Sequence, residues 1–501
     1  MIAFPKPAPG RKSTLPVFVR GFSLESMLDG FRAPSGLKLI RASCWLTLMD
    51  AYSRRRFCEA AAAAGAGLIV SSLNAQEPGQ RPAPCKDVKV LNPRDRVPVG
   101  LIVDDSTCLV NLNKFAMPQF ARAHAGRNKS YERDWKSWPD EIPDSFVRKF
   151  GEWCAEHGVK GKYSIVPYPA CVGRLDRQIP GWSQEELERS IELVRTLLMP
   201  NWDIHPEMVT HTRIIDLKTG HPYPDFSPKF MENWDWTTGR SADEIGAYMA
   251  YALEILKNIG LPCEGVTTPG GFANRARPQL AQASFESLRS VFKAEVPHYF
   301  RDLHDEGTAS VAPLVQNVRD LDTDDPKCVV HTLGCTGDWT GGWDNVEPEG
   351  ADKFITADLK SGRMVDVITR GEPAMMVCHW TGIHWNGEER GFKVFQEVVK
   401  RLHARFDNLL WMKLSTLARY WAAKECTAIT TADGAVNFKA PWACPDFTIE
   451  CTLPPDGAPK FNGQPLAEVP LSKLKSGTWT RRGEQSVACF DLPKGKSSLA
   501  F

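Results

Sequence analysis

From Val97 onward, apolar runs and amphipathic stretches take turns along the chain. "VGLIV" (99–103) has the unbroken apolar character of a strand buried on both faces, and it ends on two adjacent carboxylates, Asp104 and Asp105. "PDSFVRKFGEWCAEHG" places its apolar residues at helical spacing and stops at Gly158. "KGKYSIVPYP" reads as the next strand. "SQEELERSIELVRTLL" opens with a capping box, Ser183 with Glu186, and "SADEIGAYMAYALEILKNIG" repeats the device with Ser241 and Glu244 before ending at Gly260. "WDIHPEMVTHT" is strand-like, "CEGVTTPGG" runs from strand into loop, and "QLAQASFESLRSVF" is helical. "KCVVHTL" and "PAMMVCHW" are strands, and "FKVFQEVVKRLHARF" is the closing helix. This alternation predicts a parallel sheet covered by helices.

Polar residues follow the strand ends repeatedly: Asp104 and Asp105, His211, Thr267 and Thr268, His379. In a β/α barrel that rim is where an active site collects. Neighbouring side chains on a strand point to opposite faces, so the two acids are placed past the strand end, in the mouth of the barrel. After "STLARYWA" the texture changes. Residues 425–501 lack a helical period and carry short alternating runs between Gly and Pro turns, which predicts a small all-β domain. Residues 76–96 read as an extended lead-in to a barrel spanning 97–424.

The amino terminus has a different character. "SRRRFCEAAAAAGAGLIVSSLNAQE" (53–77) holds an arginine pair, a small-residue, mildly apolar segment and a polar exit. Ser53, Arg54, Arg55 and Phe57 match the core of a twin-arginine export signal. Met49 stands just ahead, so the expected signal is 49–75, with cleavage near Ala75 and residues 1–48 outside the native protein. The apolar segment is too short and too rich in Ala and Gly for a permanent membrane span. The implied partner is the twin-arginine export machinery, and the implied location is periplasmic or extracellular.

Composition adds little to this picture. Lys and Arg total 61 against 60 Asp and Glu, so no overall field favours nucleic acid or an anionic membrane. The 16 Trp, many beside Gly, Asp or Asn, suit a sugar-handling surface. The 14 Cys include no CxxC and no metal-ligand spacing, which argues against a zinc ribbon; export leaves a few disulfides possible.

The order of motifs resembles the polysaccharide deacetylase family, the NodB-homology domain, over about residues 97–421. Its first motif, a strand ending T-F-D-D-G, is matched by Ile102-Val103-Asp104-Asp105-Ser106. The resemblance implies that Asp104 is the general base and Asp105 a metal ligand. The family's H-[ST]-x-x-H motif is matched by His211-Thr212, with Ile215 where the second His falls; Asp216 follows, and it or His205 is the expected replacement ligand. R-P-P-Y/G appears as Thr267-Thr268-Pro269-Gly270, without the Arg that steadies the base. D-x-x-D-W is represented by Asp338-Trp339, and the catalytic-His motif by Val377-Cys378-His379. The implied fold is α/β, an irregular (β/α) barrel of the deacetylase type with the small carboxy-terminal β-domain. The implied activity is removal of N- or O-acyl groups from a polysaccharide or oligosaccharide with a divalent metal ion, zinc or similar.

The residue types make independent chemical sense. Hydrolysing an amide or ester needs activated water, charge stabilisation and an acid for the leaving group; a metal supplies the first two, and a carboxylate and a His move the protons. Trp339, Thr268, Trp380, His384 and Trp385 are the candidate sugar contacts, in loops such as "GDWTGGWDN" and "HWTGIHWNG". Two other classes stay open. One is a glycoside hydrolase using Asp104 or Asp105 with Asp338 or Glu207. The other is a non-catalytic glycan-binding protein that has lost the metal site.

Overall fold

The computed structural model describes residues 79–124, 129–452 and 457–501. The expected export signal and the residues before it lie outside the described residues. Among the described residues no helix is long and apolar enough to cross a membrane, and every described cysteine is a free thiol.

The apolar run that begins the alternation is the strand Val97–Asp104, buried along its whole length. It pairs in parallel with Gly161–Ser164 on one side and Ala374–His379 on the other. Trp202–His205 extends this sheet beyond Gly161–Ser164, and Leu409–Trp411 pairs with the start of Val97–Asp104. A second sheet runs Gly265–Thr267, His298–Leu303, Lys327–Gly334, Leu314–Arg319, parallel except for the last pairing. The two sheets meet at both ends. At one seam Glu207 bridges Thr267, whose N–H donates to the Pro206 carbonyl at 3.0 Å; at the other, the Cys335 N–H donates to the Met375 carbonyl at 2.8 Å.

Helices cover the sheets as their periodicity requires. Asp144–Glu156 turns Phe146, Val147, Phe150 and Cys154 inward. Gln184–Leu193 and Ala242–Asn258 begin with the two capping boxes read from the sequence, both formed reciprocally. Some elements departed from the pattern. Leu112–Ala123 is a helix despite Pro118 in its interior. His298–Leu303 is a strand of mixed polarity. "WDIHPEMVTHT" is a strand only to His205; beyond it Pro206 interrupts the ladder and the chain becomes irregular through Thr212.

Residues 428–501, together with Val88–Val90, form two five-stranded sheets with an aromatic core between them, in which Phe461 and Phe490 stack at 4.1 Å and Phe438 lies 5.4 Å from Phe490. The lead-in contributes to one of these sheets: Val88–Val90 pairs antiparallel with Ile449, Glu450 and Cys451. The helix Leu414–Cys426 stands between sandwich and parallel sheets. Its Tyr420 hydroxyl donates to the Leu91 carbonyl at 2.9 Å and accepts from the Thr448 N–H at 3.2 Å, while Leu417 and Trp421 share one apolar cluster with Val330, Met375 and Phe447.

Candidate active site

Asp104 is the last residue of its strand, and Asp105 adopts a left-handed backbone with φ 63°. That single residue breaks the strand alternation, so both carboxylates border the same cavity of about 330 Å³. The placement of two charges at the end of a buried strand thus follows from a turn, with each acid given its own partners.

Asp104 pairs with the Lys162 ammonium, a lysine buried on the neighbouring strand. Lys162 also donates to the Val103 carbonyl at 3.0 Å and to the Ser164 hydroxyl at 2.6 Å. Burial pushes Asp104 up to about 6, against the pull of Lys162. A buried cation thus faces Asp104 from the neighbouring strand.

Asp105 faces His211 and Glu207. The His211 Nε2 is 2.8 Å from Asp105 Oδ1 and 3.3 Å from Glu207 Oε1. Glu207 Oε2 in turn accepts from the Asp105 N–H at 2.9 Å and the Ser164 hydroxyl at 2.8 Å. Asn113 donates to Asp105 Oδ2 at 2.7 Å and to the Thr381 hydroxyl at 2.9 Å, which fixes the carboxylate plane. Burial works against the charge on Asp105, yet His211 and His379 hold it below the usual carboxylate range. Glu207 is likewise lowered, by its hydrogen bond to His211 against its burial. Burial disfavours the imidazolium of His211, and the two carboxylates raise it well above its ordinary value.

One detail bears on a metal ion. Asp105 Oδ1 is buried and makes no well-formed hydrogen bond although His211 Nε2 is 2.8 Å away. Asp105, Glu207 and His211 each offer a ligand atom, all within 4.8 Å of one another, and two carboxylates with one imidazole fit a divalent ion.

His211 is held from behind. Its backbone is left-handed, φ 62°, and the buried Glu232 accepts from the N–H groups of His211 at 2.6 Å, Thr210 at 3.0 Å and Val209 at 3.2 Å, and from the Tyr248 hydroxyl at 2.5 Å. On the other flank, His379 Nδ1 lies 2.7 Å from Asp338 Oδ2, which also accepts the His379 N–H at 3.1 Å. Nε2 is then the nitrogen left to act in the cavity. Burial lowers His379, but Asp105 and the hydrogen bond to Asp338 prevail and bring it up to about 10.

The structure thus brings together Asp104, Asp105, His211, His379 and Thr268, all on the cavity wall. It does not bring in Asp216. That residue sits in a two-stranded hairpin, Ile215–Asp216 with His221–Pro222, where its carboxylate accepts the Lys218 N–H at 2.9 Å and shapes the turn. Glu207, four residues before His211, stands where Asp216 was expected. His205 lies apart, against His298; burial pushes its ring well below, and His298 down to about 3.

The expected sugar contacts other than Thr268 are packing residues. Trp380 lies among Phe146, Phe150 and Tyr163, His384 against Phe146, and Trp339 against Phe354. Trp385 donates to the Val346 carbonyl at 3.1 Å beneath the Arg390 guanidinium. The aromatic wall of the cavity comes instead from Phe120, Tyr131, Trp234 and Trp343. Phe120 meets Trp234 edge-on at 5.3 Å and Trp343 at 6.1 Å. Trp343 lies in the flagged loop "GDWTGGWDN"; the other three carried no local signal. Among the described residues, none that line the cavity comes from 428–501.

No known family profile matches the chain, and no curated protein matches it. Among solved structures, a provisionally named glycoside hydrolase/deacetylase from Parabacteroides distasonis is similar at 11% identity, covering 72% of this chain and 82% of its own, with a TM-score of 0.35. An alpha-L-fucosidase is similar at 10% identity over 82% and 98% of the two chains, with a TM-score of 0.29. A family 30 subfamily 8 xylanase from Clostridium acetobutylicum stands at 8% identity over 82% and 96%, with a TM-score of 0.26. Likeness at this level carries no functional argument, so function is read from the side chains.

Proposed function

We propose that the protein is an exported, metal-dependent hydrolase that removes N- or O-acyl groups from a carbohydrate, with its two parallel sheets forming one irregular β/α barrel. The observation that carries the reading is the convergence of Asp105, Glu207 and His211 on one point, flanked in the same cavity by Asp104 and His379.

Asp105, Glu207 and His211 would hold the ion. When bound, a divalent ion supplies Lewis acidity toward the acyl carbonyl and toward water. Asp104, oriented by Lys162, accepts the proton of the attacking water. His379, oriented by Asp338, carries a proton that it returns to the departing amine or alkoxide. Asn113 and Ser164 hold Asp105 and Glu207 in place. The aromatic side chains offer flat faces to a sugar ring, and a cavity of about 330 Å³ suits a small part of a glycan rather than a long segment. Two carboxylates and one imidazole favour a harder ion than two imidazoles would.

Acyl release from acetylated oligosaccharides by the purified protein tests this. Asp104→Asn should lower the rate at least ~100-fold, the scale of a lost general base, while the protein still binds its ion. Full activity in that variant, or in chelated enzyme, would contradict the reading. Export is supported by the arginine pair, and Arg54→Lys with Arg55→Lys should keep the protein inside the cell; unchanged export would refute it.

A further inference from the structure

The seam between the parallel sheets holds a second group of side chains that the proposed reaction does not use. His205 ends one strand of the first sheet and His298 begins a strand of the second, both fully buried. Their Nε2 atoms are 2.9 Å apart. Asp203 is two residues before His205, on the same face of its strand, and Asp203, His205 and His298 each offer a ligand atom within 4.8 Å of the others.

Each feature around this trio orients it. The Asp203 carboxylate accepts the Ser415 N–H at 2.6 Å and the Ser415 hydroxyl at 2.8 Å. His205 Nδ1 lies 3.2 Å from the Thr267 hydroxyl, so its second nitrogen has a partner of the kind that fixes a metal-ligating imidazole. His298 Nδ1 is buried and makes no well-formed hydrogen bond, although the Val296 and Glu264 backbone groups face its ring. Between the rings runs Gly265. A Cβ there would lie 2.4 Å from both Nε2 atoms, so the space the two nitrogens share is space that only glycine leaves free. Two imidazole nitrogens bound to one ion at about 2.1 Å stand about 3–3.4 Å apart at ordinary ligand angles, and the rings need to open by only a few tenths of an ångström to reach that.

We propose that Asp203, His205 and His298 form a second, structural site for a divalent transition-metal ion of the zinc or cobalt type, which staples the two parallel sheets where a single bridge otherwise joins them. Asp203 and His205 belong to one sheet and His298 to the other, so the ion crosses the seam marked by the Glu207–Thr267 bridge. Binding requires both rings as Nδ1–H tautomers; the proton now shared between the Nε2 atoms moves to Nδ1, on the Thr267 side for His205. The two buried rings place the site inside the seam, where it serves cohesion.

The full-length protein carrying Asp105→Asn and His211→Gln tests the proposal with the first site disabled. After loading with Co²⁺ and dialysis, it should retain about one ion per chain, as a stable protein site does. X-ray absorption should show two imidazole ligands, and Zn²⁺ should raise its melting temperature. Adding His298→Gln should abolish retention. No retained ion in the disabled protein, or a retained ion without imidazole scattering, would overturn the proposal and leave a hydrogen-bonded histidine pair. Should the wild-type chain and the disabled protein each retain one ion, the first site fails and this one stands.

Discussion

At the scale of single residues, the site depends on groups that reach it from distant parts of the chain. Asp104, Asp105 and His379 were legible because each sits at the carboxyl end of an apolar run, and His211 because it matched a motif. Glu207 was legible only as a carboxylate of the alternative glycoside-hydrolase reading, and Asn113 not as a site residue, since their positions depend on where the loop after Pro206 and the helix at 112–123 bring them. Lys162 had a faint signal, a lysine inside an apolar strand. It now makes a sharp prediction. The Lys162–Asp104 pair is buried, and removing one partner of such a pair costs about 3–5 kcal/mol by leaving the other charge uncompensated, whereas removing both costs less. Chemical denaturation of Lys162→Met, Asp104→Asn and the double variant should therefore show a double variant more stable than Lys162→Met alone. Additive losses would mean that the two groups do not stabilise each other.

At the scale of elements, sequence reading was strongest where local chemistry decides the outcome. Both capping boxes formed because Ser and Glu three residues apart satisfy helix ends without tertiary help. It was weakest where tertiary packing decides. The helix at 112–123 tolerates Pro118 because Leu112, Ala116, Met117 and Phe120 are buried, and Trp380 and His384 of "HWTGIHWNG" pack inward instead of toward a sugar. Strand packing also sets a pH dependence. His331 lies on the strand Lys327–Gly334, stacked on Tyr299 at 4.5 Å, and Asp302 nearby is already paired with Arg277 and Arg301. Burial pushes His331 down to about 4, below its unfolded value near 6.5. The folded state thus favours the neutral ring; this contribution is fully present above about pH 6.5 and is lost as pH falls toward 4, an effect on the order of 2–3 kcal/mol. His331→Phe keeps an aromatic ring and cannot titrate. Denaturation curves at pH 7.5 and pH 5 should show the wild type losing more stability than the variant; equal losses would show that His331 is not held neutral.

At the scale of the whole molecule, the alternation from Val97 onward and the change of texture near residue 425 both correspond to structure. The parallel sheets carry the cavity, and the carboxy-terminal sandwich supports them through the helix Leu414–Cys426. The sandwich also takes in a strand from before the first parallel strand, Val88–Val90, a long-range pairing that no local pattern announces. The account as a whole rests on one point in space, where Asp105, Glu207 and His211 converge. Anomalous diffraction from crystals of the protein soaked with Mn²⁺ measures that point most directly. The account predicts a peak about 2.0–2.3 Å from a side-chain atom of each of the three residues, as first-row divalent ions require. A cavity with no peak, or a peak that lies out of reach of either carboxylate or of His211, would contradict it.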